Sequence, residues 1–424
     1  MNEFTLTDPN IRYVTLGCLL LTCSAAVVGC FTFLRKKSLL GDALAHSILP
    51  GVCIGFLLAE EKNPVYLIIG AFISGWLSVY MIDAITTRTK IKEDTAIGLV
   101  LSVFFGIGIL LLTAIQQRGN AAQSGLDHFL FGKAAALVSS DVTTFGIVSI
   151  VLLITIVLFY KELKLLCFDA NFARTLGLPV QRLEWILTSL TVLAVVTGIQ
   201  AVGVVLMAAI LITPAAAARY WTNRLGVMIL LAAFFGGVAA LTGTFVSFLA
   251  PAMPTGPWMV MAIFMIAMLS FTLAPQKGML PRWWKHRRNL RQITEDNILK
   301  ALFQMGEKGA SFDQVYAPAQ ILDHRTMPAG QLHRSLKRLV SAGYLQRKGN
   351  TWRLTSEGKN QGQRITRLHQ LWELYLTQYL RIAPDHVHDD AELIEHVITP
   401  EIEEKLQELM QYPKHDPHQT KIPK

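Results

Sequence analysis

Near the start of the chain, two side chains able to bind a cation stand four residues apart. They are Asp42 and His46, within Gly41-Asp42-Ala43-Leu44-Ala45-His46-Ser47-Ile48-Leu49-Pro50-Gly51. A carboxylate oxygen and an imidazole nitrogen are ligands that Mn²⁺ or Zn²⁺ accepts. At this spacing a helix stacks them one turn apart on one face. The flanks are apolar: a long run over 13–34, the cations Arg35-Lys36-Lys37, then a second run to about residue 59. Ionisable groups inside lipid are costly and generally face a pathway or a partner. Two copies of this face would assemble four protein ligands. The competing reading makes Asp42 a helix cap and has His46 bonding a backbone carbonyl.

A second set of donors lies near the other end. His369 and Glu373 are four apart, and His388, Glu392, Glu395 and His396 follow at three- and four-residue intervals. With no thiolate among them, the set suits Mn²⁺ or Fe²⁺ better than a structural zinc site.

The elements that must carry these residues follow from composition. Of 424 residues, 52% are hydrophobic and only 16% charged, far too apolar for a soluble protein of this length. Charged and histidine residues concentrate beyond residue 275, which marks two regions. Cys18, Cys23, Cys30, Cys53 and Cys167 form no CxxC pair, so neither a disulfide framework nor a thiolate metal site is indicated. No basic leader or small-residue cleavage site precedes the first apolar run, which is expected to persist as a helix.

Runs of spanning length fall at about 12–34, 39–59, 64–86, 95–115, 141–160, 183–199, 201–218, 224–249 and 257–274. The sixth and seventh are separated only by Gly198-Ile199-Gln200-Ala201-Val202-Gly203, so eight spans is the alternative count. With nine, every basic loop lands on one side, which places the N-terminus outside and residues 276–424 in the cytoplasm. The long outer segment 116–140 reads as a surface helix. The inner stretch 167–179 reads as a short helix stopped by Gly177 and Pro179, either an ordinary loop helix or a docking element. Small residues over 202–218 allow close helix packing.

Pro281-Arg282-Trp283-Trp284-Lys285-His286-Arg287-Arg288-Asn289-Leu290-Arg291 pairs indoles with cations, as an interfacial anchor on anionic lipid does. Beyond it, 294–305 is amphipathic, and 328–342 buries Leu332, Leu336 and Leu339 on one face. Two short strands flank Gly349-Asn350. A helix followed by a basic hairpin is a winged helix-turn-helix pattern. Arg334, Lys337, Arg338, Arg347 and Lys348 are its candidate DNA contacts; a protein-interaction winged helix is the alternative.

Three motifs in order resemble the membrane subunits of bacterial metal-ion ABC importers, over roughly residues 10–275. They are Asp-Ala-Leu-Ala-His-Ser after a basic loop, Phe-Asp-x-x-x-Ala-x-x-Leu-Gly, and Val-Gly-x-x-Leu-x-x-Ala-x-Leu-Ile-Thr-Pro-Ala-Ala-Ala-Ala. The resemblance implies a transport subunit rather than an enzyme, with ATP hydrolysis on a separate subunit. It implies further partners: a second permease subunit, identical or not, and an extracellular metal-binding lipoprotein. It makes 168–178 the helix that couples to the ATPase, through Phe168, Asp169, Ala173, Leu176 and Gly177. In agreement, no phosphate-binding Gly-x-x-x-x-Gly-Lys-Ser/Thr loop occurs.

Residues 292–420 resemble the diphtheria-toxin-repressor and manganese-repressor family. The carriers are Thr-Glu-Asp at the first helix, the winged helix, Val-His-Asp-Asp-Ala-Glu-x-x-Glu-His, and the proline-bounded tail. By that resemblance Asp296, His369, Glu392, Glu395 and His396 are ligands of a regulatory site, with Glu373 and His388 at an ancillary one. Glu392 stands where iron sensors carry Cys, which favours manganese. Leu299 departs from the pattern, occupying a position that is acidic in manganese sensors.

The expectation is therefore an all-α polytopic membrane protein of about nine spans plus a cytoplasmic, α-rich winged-helix and metal-binding helical domain. Its parts are a permease domain (1–275), a basic and aromatic juxtamembrane linker (276–291), a winged helix (292–358) and a metal-sensing, dimerising region (359–424). The expected function is import of a divalent metal, Mn²⁺ first, with a metal-responsive regulatory domain and no organic cofactor. The alternatives are a zinc or iron importer of the same type and a membrane-tethered, metal-dependent transcription regulator.

Overall fold

The computed structural model describes residues 9–59, 64–117, 132, 134, 137–249, 253–309, 311–325, 327–379, 400–410, 413 and 422. The chain divides into two compact units, Met1–Arg282 and Trp283–Lys424. In the first, helices are α1 (Pro9–Leu34), α2 (Leu39–Ser47), α3 (Leu49–Ala59), α4 (Pro64–Arg88), α5 (Glu93–Gln117) and α6 (Ser139–Leu158). There follow α7 (Tyr160–Phe168), α8 (Ala170–Thr175), α9 (Val180–Val202), α10 (Val204–Trp221), α11 (Leu225–Leu249) and α12 (Thr255–Leu273).

Among the described residues, nine helices are long and apolar enough to cross a membrane, with Leu39–Ala59 counted as one. The count is nine rather than eight because Gly203 takes φ +89°, ψ 165°, which ends α9 and lets α10 begin one residue later. A residue with a Cβ resists that conformation.

α1 is the hub, packed against α6, α9, α10 and α11. It has no polar face, so it is buried nearly all round, from Val14 and Cys18 to Val28 and Phe31. Two of its buried hydroxyls are satisfied: Thr22 donates to the Cys18 carbonyl at 2.9 Å, and the Ser24 and Ser149 hydroxyls meet at 3.1 Å across to α6. The segment 116–140 lies largely outside the described residues.

Most of α13 (Met279–Lys308), a 30-residue helix that includes the basic, aromatic stretch, belongs to the second unit. Next come α14 (Pro318–His324), α15 (Ala329–Ser341), the antiparallel pair β1 (Leu345–Lys348) and β2 (Thr351–Leu354), α16 (Ser356–Tyr379) and α17 (Pro400–Leu409). The hairpin registers Lys348 opposite Thr351 across Gly349-Asn350, and Gly349 sits at φ +64°. The amphipathic faces read from sequence converge: Ile298, Leu299, Leu302, Leu332, Leu336, Leu339 and Trp352 share one core.

Candidate functional site

α2 is a nine-residue helix carrying both Asp42 and His46. Pro50 lies four residues beyond His46 and has no N–H, so the helical bond to the His46 carbonyl cannot form. The chain turns at Ile48 and resumes as α3, and the Ser74 hydroxyl from α4 donates to the Ser47 carbonyl at 2.6 Å. The span is thus interrupted at Ile48, two residues after His46, and the Ser47 carbonyl is met by a side chain.

His46 Nε2 stands 3.7 Å from Asp42 Oδ1, with the two side chains 24% and 52% exposed. That is too long for a hydrogen bond and suits two ligands facing a shared cation. The other ring nitrogen, Nδ1, is buried, and among the described residues it has no hydrogen-bond partner. The ring is fixed instead by Phe105 of α5, edge to face at 5.1 Å. The capping reading fails at both residues. Asp42 lies inside the first turn while Ser38 holds the cap position, and the imidazole makes no bond to a carbonyl from Nδ1.

The candidate coupling element is more exposed than a loop helix requires. Asp169 caps α8 by accepting the Phe172 N–H at 2.8 Å. Gly177, at φ +78°, closes it: the Gly177 N–H reaches the Arg174 carbonyl and the Leu178 N–H reaches that of Ala173. These are the two bonds of a Schellman stop, for which glycine is the natural residue. Ala173 is buried against the body. Phe168, Phe172 and Leu176 fall at successive four-residue steps and are 54, 52 and 59% exposed. Asp169 is extended between the two short helices, so the four-residue spacing aligns only Phe172 with Leu176; all three are large exposed apolar side chains outside any spanning helix.

One linkage was not found in the sequence. Arg35, at the end of α1, pairs with Glu184 of α9, and its Nη1 donates to the Leu166 carbonyl at 3.1 Å. It therefore joins the hub helix, α7 and α9 through one guanidinium. The available signal was Glu184 itself, a carboxylate at the edge of an apolar run that needs a cation. The Phe105 contact had no sequence signal.

In the second unit, α16 brings His369 and Glu373 together. Nε2 and Oε1 are 3.0 Å apart, with side chains 4% and 3% exposed. Asp296 lies on α13. No group of three or more His, Cys, Asp or Glu side chains able to hold a metal occurs among the described residues, and His388, Glu392, Glu395 and His396 lie outside them. Leu299 is 1% exposed in the apolar core, so an acidic residue there would meet packing rather than a cation. Arg364 and Arg367 of α16 both pair with Glu403 of α17, at 2.9 and 2.6 Å, and hold that helix in place.

Of the candidate DNA contacts, Arg334 and Lys337 are exposed on α15, and Arg347 and Lys348 on β1. Arg338 is engaged with Glu295 at 3.1 Å. Burial pushes the Glu295 carboxyl above its ordinary value and neighbouring Asp296 adds to that, while Arg338 and Arg291 pull it back.

Comparison with known proteins agrees with this division. Residues 7–274 match the ABC 3 transport family, and residues 355–424 match the iron dependent repressor, metal binding and dimerisation domain. The manganese transport system membrane protein MntC of Bacillus subtilis is 41% identical over 379 residues, covering 89% of this chain and 86% of its own. The zinc transport system membrane protein TroC of Treponema pallidum is 44% identical over 282 residues, 66% of this chain and 95% of its own. Among solved structures, PsaBC from Streptococcus pneumoniae in complex with Fab superposes with TM-score 0.59 at 33% identity, over 66% of this chain and 97% of that one. With nine helices long and apolar enough to cross a membrane among the described residues, and a repressor-type match over its C-terminal region, the chain belongs to the ABC 3 transport family, as a multi-pass permease subunit.

Proposed function

We propose that this permease imports Mn²⁺ along a pathway whose protein ligands are Asp42 and His46, supplied by two permease copies facing each other. The observation that carries it is the pair itself: a carboxylate and an imidazole 3.7 Å apart at a break in a span, with one ring nitrogen unbonded among the described residues. Family membership implies an ATP-binding subunit and a substrate-binding protein as partners. The exposed apolar side chains Phe168, Phe172 and Leu176 are the surface offered to the ATPase, with Asp169, Ala173 and Gly177 shaping it. By loop charge the N-terminus lies outside and the second unit in the cytoplasm. His46 must be neutral to bind metal, so transport weakens in acid.

The second unit acts as a winged helix (292–358) joined to a metal-sensing region (359–424), with 276–291 as the link to the permease domain (1–275). Its donor set is imidazole and carboxylate: Asp296, His369, Glu392, Glu395 and His396, with Glu373 and His388 beside them. Such a set fits Mn²⁺. These residues would hold the regulatory ion, which supplies a cross-link between helices when bound.

Zinc is the second reading, because the 44% identical relative is named a zinc transport protein and Asp/His sites take both metals. Uptake of radioactive Mn²⁺, Zn²⁺ and Fe²⁺ by cells with and without the chain decides between them. Manganese uptake that depends on the chain supports the proposal, and uptake of zinc alone overturns the choice of metal.

A further inference from the structure

The cations of α15 do not project from a convex helix. Arg334, Lys337 and Arg338 line a groove of about 600 Å³ together with Arg287 and Arg291, which come from α13. Its wall is fixed by the Gln331 side-chain amide donating to the Thr294 hydroxyl at 2.8 Å. Its lining residues include no carboxylate, and Arg338 is paired with Glu295 at 3.1 Å. Five cations in the lining, one of them paired with Glu295, leave a strongly positive concavity of the size that encloses a small ligand.

The groove opens onto an apolar, aromatic stripe. Trp283, Arg287, Leu290 and Arg291 share one face of α13 at helical spacing, and the Arg287 guanidinium lies 3.8 Å over the Trp283 ring. Trp283, Trp284 and Leu290 are 46, 63 and 48% exposed, an unusual display on a water-soluble helix. Nine residues separate Leu273, the end of the last spanning helix, from Trp283. Indole and cation side by side at that distance from a span is the composition that sits at a lipid headgroup. A DNA duplex, by contrast, is read by a helix that protrudes into its groove, whereas here the helix's cations turn into a concavity they share with α13.

We propose that this groove binds the phosphate of an anionic phospholipid, so that α15 is occupied by the membrane surface rather than by DNA. Arg287, Arg291, Arg334 and Lys337 supply charge-assisted bonds to the headgroup, and Trp283 with Leu290 meets the acyl boundary.

The test uses the full chain in nanodiscs containing a photo-crosslinking phosphatidylglycerol analogue, with labelled peptides mapped by mass spectrometry. Label is expected within 283–294 and 329–341, and Arg287→Glu with Lys337→Glu should lower it at least about tenfold. Exchange of core amides 298–306 reports whether that variant stays folded. If it does not, Arg287→Gln with Lys337→Gln carries the same expectation. Label absent from both segments, or unchanged in the charge variant, overturns the proposal. So does loss of label to millimolar inorganic phosphate, which makes the groove a free-anion site, or to a short DNA duplex, which makes α15 a nucleic-acid reader.

Discussion

Two pairs in this protein have the same chemistry and the same spacing, and opposite environments. Asp42 and His46 are 3.7 Å apart and partly exposed at a helix break, while His369 and Glu373 are 3.0 Å apart and nearly fully buried inside an unbroken helix. At 3.7 Å the first pair makes no hydrogen bond for the fold to lose, and even on a solvated helix face such a pair contributes only about 0.3–0.5 kcal/mol. Breaking a buried pair costs about 3–5 kcal/mol where the group left behind keeps its charge or an unmet hydrogen bond in an apolar place. The first pair can therefore be spared by the fold and used on a passing cation. The second is bound into the packing of its unit, so any metal it serves must compete with the partner it already has.

The sharpest way to break this comparison is Asp42→Ala or His46→Ala. Uptake at limiting metal should be abolished by either, while thermal unfolding of the purified chain stays within about 0.5 kcal/mol of wild type. Full uptake by either variant removes the pathway assignment. Coupling should respond almost as strongly. Gly177→Pro cannot take φ +78°, and Phe172→Asp puts a charge among the exposed apolar side chains. Each should leave basal ATPase activity of the assembled transporter intact and remove its stimulation by the loaded binding protein. Unchanged stimulation in both would place the docking surface elsewhere.

The buried pair should behave in reverse. His369→Ala or Glu373→Ala should destabilise the second unit by about 3–5 kcal/mol, read as faster hydrogen exchange across 356–379 in the full chain. Uptake by the permease should continue. Loss of uptake with normal exchange would mean that the buried pair acts on transport directly. A subtler test concerns the sensor. Glu395→Ala with His396→Ala should abolish a fall in ATPase activity as internal Mn²⁺ rises. A tenfold fall requires about 1.4 kcal/mol of differential affinity, well within one or two metal–ligand bonds.

The smallest effect concerns Glu295. Its carboxyl is raised chiefly by burial, so protonation favours the fold. The contribution is complete below the ordinary glutamate value and disappears as pH rises through the raised one. Glu295→Gln should flatten that part of the stability curve in calorimetry. A curve unchanged by the substitution would show that Arg338 already compensates the charge.

Much of this was legible in the sequence for a plain reason: lipid admits only hydrogen-bonded helices, so apolar runs translate directly into spans. The nine runs, the amphipathic faces of 294–305 and 328–342, the hairpin at Gly349-Asn350 and the stop at Gly177 all rest on local chemistry, and each appears where its residues imply. Asp42 and His46 were legible as a pair because helical spacing is local too. The Arg35–Glu184 link was not, since its partners are 149 positions apart and only packing joins them.

Sequence by itself determined which segments are helices, where the chain changes from membrane-like to water-like, and which residues have ligand chemistry. The tertiary structure alone decided which of two identical spacings is buried and that Phe105 rather than a hydrogen bond holds His46. It also turned the cations of α15 toward those of α13. The physical reason is range. Spacing along one helix is set by its own backbone geometry, but exposure, orphaned nitrogens and shared grooves are made by side chains from distant elements, which meet only when the chain packs.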